Sequence, residues 1–179
     1  VANYGEYKNQ EMLIRAFAKA DIGRSRLVLV GFEENSYTDY LKKMIDELMT
    51  GQPDKKVELL THLEREQVVE LYRICDIFTC PSKLESWSIV AHEAAATAMP
   101  IISTDVGIYH EIDGAYIVED ENSMQAAMEE LYKNPEERRR RGLLARAWVQ
   151  GRNCRIADKV DWLEQELLQL TYGRNLGEE

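Results

Sequence analysis

Short β-branched runs alternate along this chain with longer amphipathic stretches, and that alternation restricts the fold more than any other feature. RLVLVGF (26–32), VELLTH (57–62), DIFTCPS (76–82), PIISTDV (100–106) and AYIVE (115–119) are strand candidates. Several are apolar on successive residues, as strands covered on both faces are. Between them, helical spacing of apolar residues marks 9–20, 37–49, 65–74, 89–98 and 123–133. Strand, helix, strand in this order predicts an α/β domain with a mainly parallel sheet. Gly31, Gly51, Pro53, Pro100 and the Asn134-Pro135 step fall at the expected boundaries.

From Pro135 onward the pattern is helical only, first PEERRRRGLLARAWVQ and then ADKVDWLEQELLQLTY. Trp148, Trp162 and Leu163 are the candidates for docking this extension on the sheet. Residues 173–179 are expected to fray. No repeat or long linker divides the chain, so its 179 residues are expected to form one domain. It opens on Val1 within a structured pattern, and the expectation is a piece of a larger protein.

Composition narrows the function. With 22 basic and 32 acidic residues the formal charge is −10, which argues against a nucleic-acid binder while leaving room for a local basic pocket. Cys75, Cys80 and Cys154 make neither a CxxC pair nor an even framework, so a reducing, cytoplasmic setting without zinc is expected. No apolar stretch approaches the ~20 residues of a membrane span.

Ligands of open α/β sheets gather at the carboxyl ends of the strands. There the segment ESWSIVAHE (85–93) leads from a strand into a helix whose first N–H groups lack intrahelical acceptors, a natural seat for phosphate. Glu85 in the loop and Glu93 about one turn into the helix either hold a diol-bearing ligand or are two solvated charges, comfortable beside the helix dipole. Spacing leaves both readings open.

A longer stretch speaks further. PSKLESWSIVAHEAAATAMPIISTDVGIYHE resembles the signature region of the retaining GT-B glycosyltransferases of family 4, the glycosyl transferases group 1: Pro-Ser, Glu, seven residues, Glu-Ala, Gly-x-Pro-Val-Ile, then a Gly-Gly loop ending in Glu. VANYGEYKNQEMLIRAF resembles that family's entry into its C-terminal domain, LVLVG its next strand, and VELLTHLEREQVVELYRICDIFTCPS the stretch leading to the signature. Four such blocks in order extend the likeness to about Gln150.

The resemblance implies a Rossmann-like three-layer α/β/α domain, the C-terminal half of a GT-B fold with a helical C-terminal extension. Residues 1–172 would bind the donor, and a separate N-terminal domain would supply the acceptor site and a catalytic histidine. It implies a nucleoside-diphosphate sugar as donor substrate, no metal, and a glycan or lipid-linked acceptor. Glu93 matches the residue that grips the ribose, Glu85 the one that approaches the donor sugar, and Lys8 the lysine that neutralises the phosphates. The amides of Trp87, Ser88, Ile89 and Val90 would lie against sugar and diphosphate. His62 and Leu63 fall in the loop that meets the base, and Gly31 either admits the ligand or ends its strand. Gly107 and Glu111 match the later loop, and Ser82 is expected to turn the chain. His92 is expected to pack on its helix.

Four positions depart from the family. Asn3 stands where a phosphate-binding Arg is usual, and a neutral amide does not replace its fork. Ser88, Ala98 and Ile108 replace glycines, each adding a Cβ where the backbone could need room or unusual dihedrals. These departures keep two alternatives open: a non-catalytic nucleotide-sugar binding module, and a GT-B sugar-nucleotide epimerase. The Arg138 to Arg141 run is expected to be a solvated helix face, with contact at the inner membrane surface as the alternative.

Overall fold

The computed structural model describes residues 1–151. A 3-10 turn at Glu6–Lys8 leads into α1 (Gln10–Lys19); β1 (Ser25–Val30), α2 (Ser36–Met49), β2 (Lys55–Leu60), α3 (Arg65–Ile74), β3 (Phe78–Cys80), α4 (Ile89–Ala96), β4 (Ile101–Thr104), a second 3-10 turn (Tyr109–Glu111), β5 (Tyr116–Val118) and α5 (Glu121–Lys133) follow. Residues 135–151 form the last helix among the described residues. The second helix expected after it, with Trp162 and Leu163, and the tail at 173–179 lie outside the described residues.

Each helix expected between residues 9 and 133 is present, and local chemistry fixes several ends. Asn35 caps α2 by accepting from the Tyr37 and Thr38 amides, while Thr38 answers the Asn35 N–H. Such a cap contributes about 1 kcal/mol. Asp120 and Ser123 make the same reciprocal pair at the start of α5. β3 is shorter than the expected 76–82, since Pro81 has no N–H to offer a ladder.

All strand pairs are parallel: β1 with β2, β3 with β4, and β4 with β5. The cores lie on the two faces of these strands. Ile101 and Ile102, both fully buried, feed different clusters, because neighbouring strand residues point to opposite faces. Ile102 joins Leu27, Leu29 and Val118 beneath α1, α2 and α5. Ile101 joins Phe78, Tyr72 of α3, Ala91, Ala94 and Ala95 of α4, and Ala145, Trp148 and Val149 of the last helix. Helices on both sides of parallel strands make the three-layer, Rossmann-like arrangement.

One expectation changes. The strands do not form a single ladder: β1–β2 and β3–β4–β5 are separate hydrogen-bonded groups among the described residues. Tyr4, buried at the carboxyl end of the first group, holds it with its hydroxyl against the Leu29 and Leu60 carbonyls at 2.8 and 2.9 Å.

Candidate functional site

The carboxyl ends of β1 and β3 open into a crevice of about 360 Å³, lined by the entry segment from Val1 to Lys8 and by the loop from Cys80 to Val90. The two segments are tied together where the Lys83 amide donates to the Tyr7 carbonyl at 2.8 Å. Across this seam Lys8 Nζ donates to Glu85 Oε1 at 2.6 Å. Ser82, 2% exposed, donates to the same oxygen at 3.0 Å. Thr104 at the end of β4 donates to the Ser82 carbonyl at 2.5 Å, so the loop hangs from the sheet. Lys8 also lies 5.0 Å from the centre of the Tyr7 ring.

Glu85 is further confined from behind. Gly107 has φ +54°, and a Cβ there would meet Glu85 Cβ and the Ser86 carbonyl at 3.0 Å. Only a glycine allows that backbone and that approach together. Both hydrogen bonds to Glu85 use Oε1, and among the described residues Oε2 takes none. One carboxylate oxygen is thus anchored, and the other remains able to accept a ligand hydroxyl.

α4 begins beside this group. Ser88 is its N-cap, yet no side chain caps the helix. The Ser88 hydroxyl shares a hydrogen with the Tyr109 hydroxyl at 2.8 Å, in surroundings where both residues are buried. Burial pushes the Tyr109 phenol well above its ordinary value, so it stays protonated. The first amides of α4, with the helix dipole behind them, are therefore left for an anion. Trp87 and Ile89 are exposed beside them, and Val90 is half-buried.

Glu93 lies one turn inside α4 and outside the lining of this crevice. Its carboxylate is held by Arg65, the first residue of α3, at 2.5 Å. Leu63 and His62 stand just before Arg65 in the loop after β2. His62 has φ +54° and packs edge-on against Phe32, with ring centres 5.9 Å apart. Neither joins the crevice lining, nor does Gly31. The open side of Gly31 is filled by the Tyr4 ring, which a Cβ would meet at 2.3 Å. Asn3 does line the crevice; its carbonyl accepts from Gln10, and Lys8 is the one lysine or arginine among the described lining residues.

His92 packs as expected. Its ring stacks on Trp87 at 5.1 Å and tilts against Trp148 at 5.4 Å. Nδ1 lies 2.9 Å from the Ser88 carbonyl and donates to it. The arginine run is engaged with the protein itself: Arg140 and Arg141 pair with Glu137, Arg138 donates to the Leu131 carbonyl, and Arg141 covers the Tyr116 ring.

The glycine replacements separate into two kinds. Ala98 occupies the left-handed region at φ +59°, where its Cβ is strained. Ile108 is ordinary helical backbone at φ −88° and Ser88 is extended at φ −103°, so of the two expectations, room or unusual dihedrals, the second does not apply at either. Two site residues have no local signature in the sequence, Arg65 and Tyr109. Each meets its partner only through the fold.

Comparison with known proteins identifies the family and the fold. The family model described as glycosyl transferases group 1 matches residues 1–148. D-inositol 3-phosphate glycosyltransferase of Mycolicibacterium smegmatis is 36% identical over 103 residues, covering 56% of this chain and 23% of that protein. The chain thus spans about a quarter of the length of the curated relatives it matches. Among solved structures, sucrose-phosphate synthase from Thermosynechococcus elongatus superposes with a TM-score of 0.78 at 23% identity, over 94% of this chain and 44% of that one. Anabaena HepE in complex with UDP and glucose superposes with a TM-score of 0.69 at 18% identity, over 89% and 46%.

Proposed function

The chain belongs to the family of glycosyl transferases group 1, and from that premise we propose that it is the donor-binding half of a family 4 hexosyltransferase. The enzyme moves a sugar from a nucleoside diphosphate to a glycan or lipid acceptor with retention. The observation that carries this reading is the meeting of Lys8, Glu85 and the uncapped start of α4 at one crevice.

The chemistry follows from what such a transfer demands. Cleaving the bond between sugar and diphosphate leaves negative charge on a phosphate oxygen, and preorganised N–H groups with a nearby cation stabilise it without reorganisation. The first amides of α4 and Lys8 take that role. Glu85, fixed through Oε1, accepts a sugar hydroxyl at Oε2. Glu93 exchanges Arg65 for the ribose hydroxyls.

The expected test is a panel of UDP, GDP, ADP and their sugars against the intact protein, read as a rise in melting temperature. HepE is described in complex with UDP and glucose, which makes the uridine members the first to try. Glu93→Ala removes the rise; a rise that survives it sinks the ribose assignment. Proton NMR of the product's anomeric configuration tests retention. Residues 1–179 alone bind nucleotide weakly and turn over no donor.

A second reading draws on Asn3. With Lys8 the one lysine or arginine among the described residues lining the crevice, the diphosphate meets a single basic side chain there, as in a module that binds sugar nucleotides without transferring them. Binding without turnover across varied acceptors establishes that alternative.

A further inference from the structure

Three tyrosines are buried among the described residues, and their hydroxyls are not treated alike. Tyr4 donates to two carbonyls, and Tyr109 meets Ser88. Tyr72, 7% exposed, has a buried hydroxyl with no hydrogen-bond partner. Folded proteins leave few such groups, because a polar atom withdrawn from water without a partner costs the whole of its lost hydration. The ring itself is held in place: it stacks on Phe78 at 6.3 Å and belongs to the cluster that Ala91, Ala94 and Ala95 of α4 help to form.

What stands near that hydroxyl is Glu93. Arg65 and Tyr72 lie seven residues apart on α3, so two turns separate them on one face. Helical side chains lean toward the N-terminus, which carries the Tyr72 hydroxyl back toward the Arg65 end. Arg65 reaches across to Glu93 on α4, and this ion pair places the carboxylate over the same face of α3. The phenol responds to it. Burial first, and then the Glu93 carboxylate, push Tyr72 well above its ordinary value, so the hydroxyl keeps its proton and remains a donor. Glu93 therefore has a mostly exposed cation on one side and a buried neutral donor on the other.

We propose that Tyr72 is the positioning residue of Glu93, its hydroxyl donating to the carboxylate when the ribose of a nucleotide takes the place of Arg65. The proposal rests on the ribose assignment made above. A carboxylate has two oxygens and about four acceptor sites, enough for a diol on its open side and a phenol behind. Once Arg65 is displaced, an 18% exposed Glu93 has lost its cation, and a hydrogen bond to the charged group offsets part of that loss. The same step gives the Tyr72 hydroxyl the partner it lacks in the free protein. Capture of the ribose is thereby favoured by a group that never touches the ligand. Glu85 is supported in the same manner by Ser82, there before any ligand arrives.

Tyr72→Phe tests it, because the ring stack stays and the hydroxyl alone is lost. Calorimetry on the intact protein compares UDP, GDP and ADP with their 2′,3′-dideoxy counterparts. The parent prefers a ribonucleotide; Tyr72→Phe weakens that form about ten-fold and leaves the dideoxy form within about two-fold. Thermal unfolding without ligand gives the second arm. Tyr72→Phe melts at or above the parent's temperature, since an unpartnered hydroxyl has gone. In an Arg65→Ala background, where Glu93 is released to Tyr72, the same substitution lowers the melting temperature, so the two changes do not add. The proposal is overturned by an unchanged ribonucleotide affinity, by equal weakening of both nucleotide forms, which marks a merely structural role, or by an equal thermal effect in the two backgrounds. A parent with no preference for ribose removes the ribose assignment itself, and the proposal falls with it.

Discussion

Glu85 and Glu93 stand on either side of the α4 entrance, and each meets a cation, yet the two ends of the site are built differently. At the first, Lys8 and Glu85 are 16% and 13% exposed, a serine shares the bond, and a glycine closes the rear. At the second, Arg65 is 64% exposed and holds an 18% exposed Glu93. A pair withdrawn from water depends on both members, because the survivor is left as an uncompensated charge. A pair with one member in water is worth little and is readily exchanged for another partner. The first end is held in place by the protein itself, and on the proposed reading the second is where a ligand substitutes for a side chain.

The strongest way to break this contrast is Lys8→Met. It leaves Glu85 half-enclosed without its cation and costs about 3 kcal/mol of stability, near the lower bound for a buried pair. Thermal unfolding checks it, and a melting temperature equal to the parent's would show the two ends to be alike. Gly107→Ala comes next, at about 2 kcal/mol for a strained left-handed backbone. It also pushes on Glu85, so donor affinity falls with stability. Gly51→Ala is the control: φ is +80° there but no atom lies within 4 Å of the new Cβ, so the melting temperature drops and ligand binding does not change.

The link behind the α4 entrance has a smaller effect. Ser88→Ala or Tyr109→Phe each costs about 1–2 kcal/mol by stranding a buried hydroxyl. The double variant costs clearly less than the sum, as groups in direct contact do not add. Additive losses would mean that the pair contributes nothing as a pair. Smallest of all is Arg65→Ala, which shifts stability by no more than about 0.5 kcal/mol. Nucleotide affinity then stays level or rises, since Glu93 no longer has to leave Arg65. A clear fall in affinity, measured by calorimetry, would make Arg65 a ligand contact and erase the distinction.

The order of elements was legible because it rests on local facts. Apolar residues recur at helical or strand spacing, and Asn35, Asp120 and Pro81 act within a few residues of themselves. Lys8, Glu85 and the start of α4 were legible through the family pattern, which records positions that the fold brings together. The Arg65–Glu93 and Ser88–Tyr109 pairs were not, because each joins distant parts of the chain and neither residue type is unusual where it stands. Nor were the dihedrals at the replaced glycines: Ala98 tolerates a strained φ while Ile108 needs none. The gap between β1 and β3 escaped for a simpler reason. Strand order in a parallel sheet depends on crossovers rather than on any one strand's composition.

The stack of Trp87 on His92, itself tilted against Trp148, gives the molecule a built-in optical reporter. An exposed indole at the mouth of the crevice and a buried one on the last helix share a single imidazole between them. On the proposed reading, a sugar nucleotide settling beside Trp87 displaces water from the first ring without touching the second. Occupancy and loop position thus become readable from intrinsic emission, with no label attached.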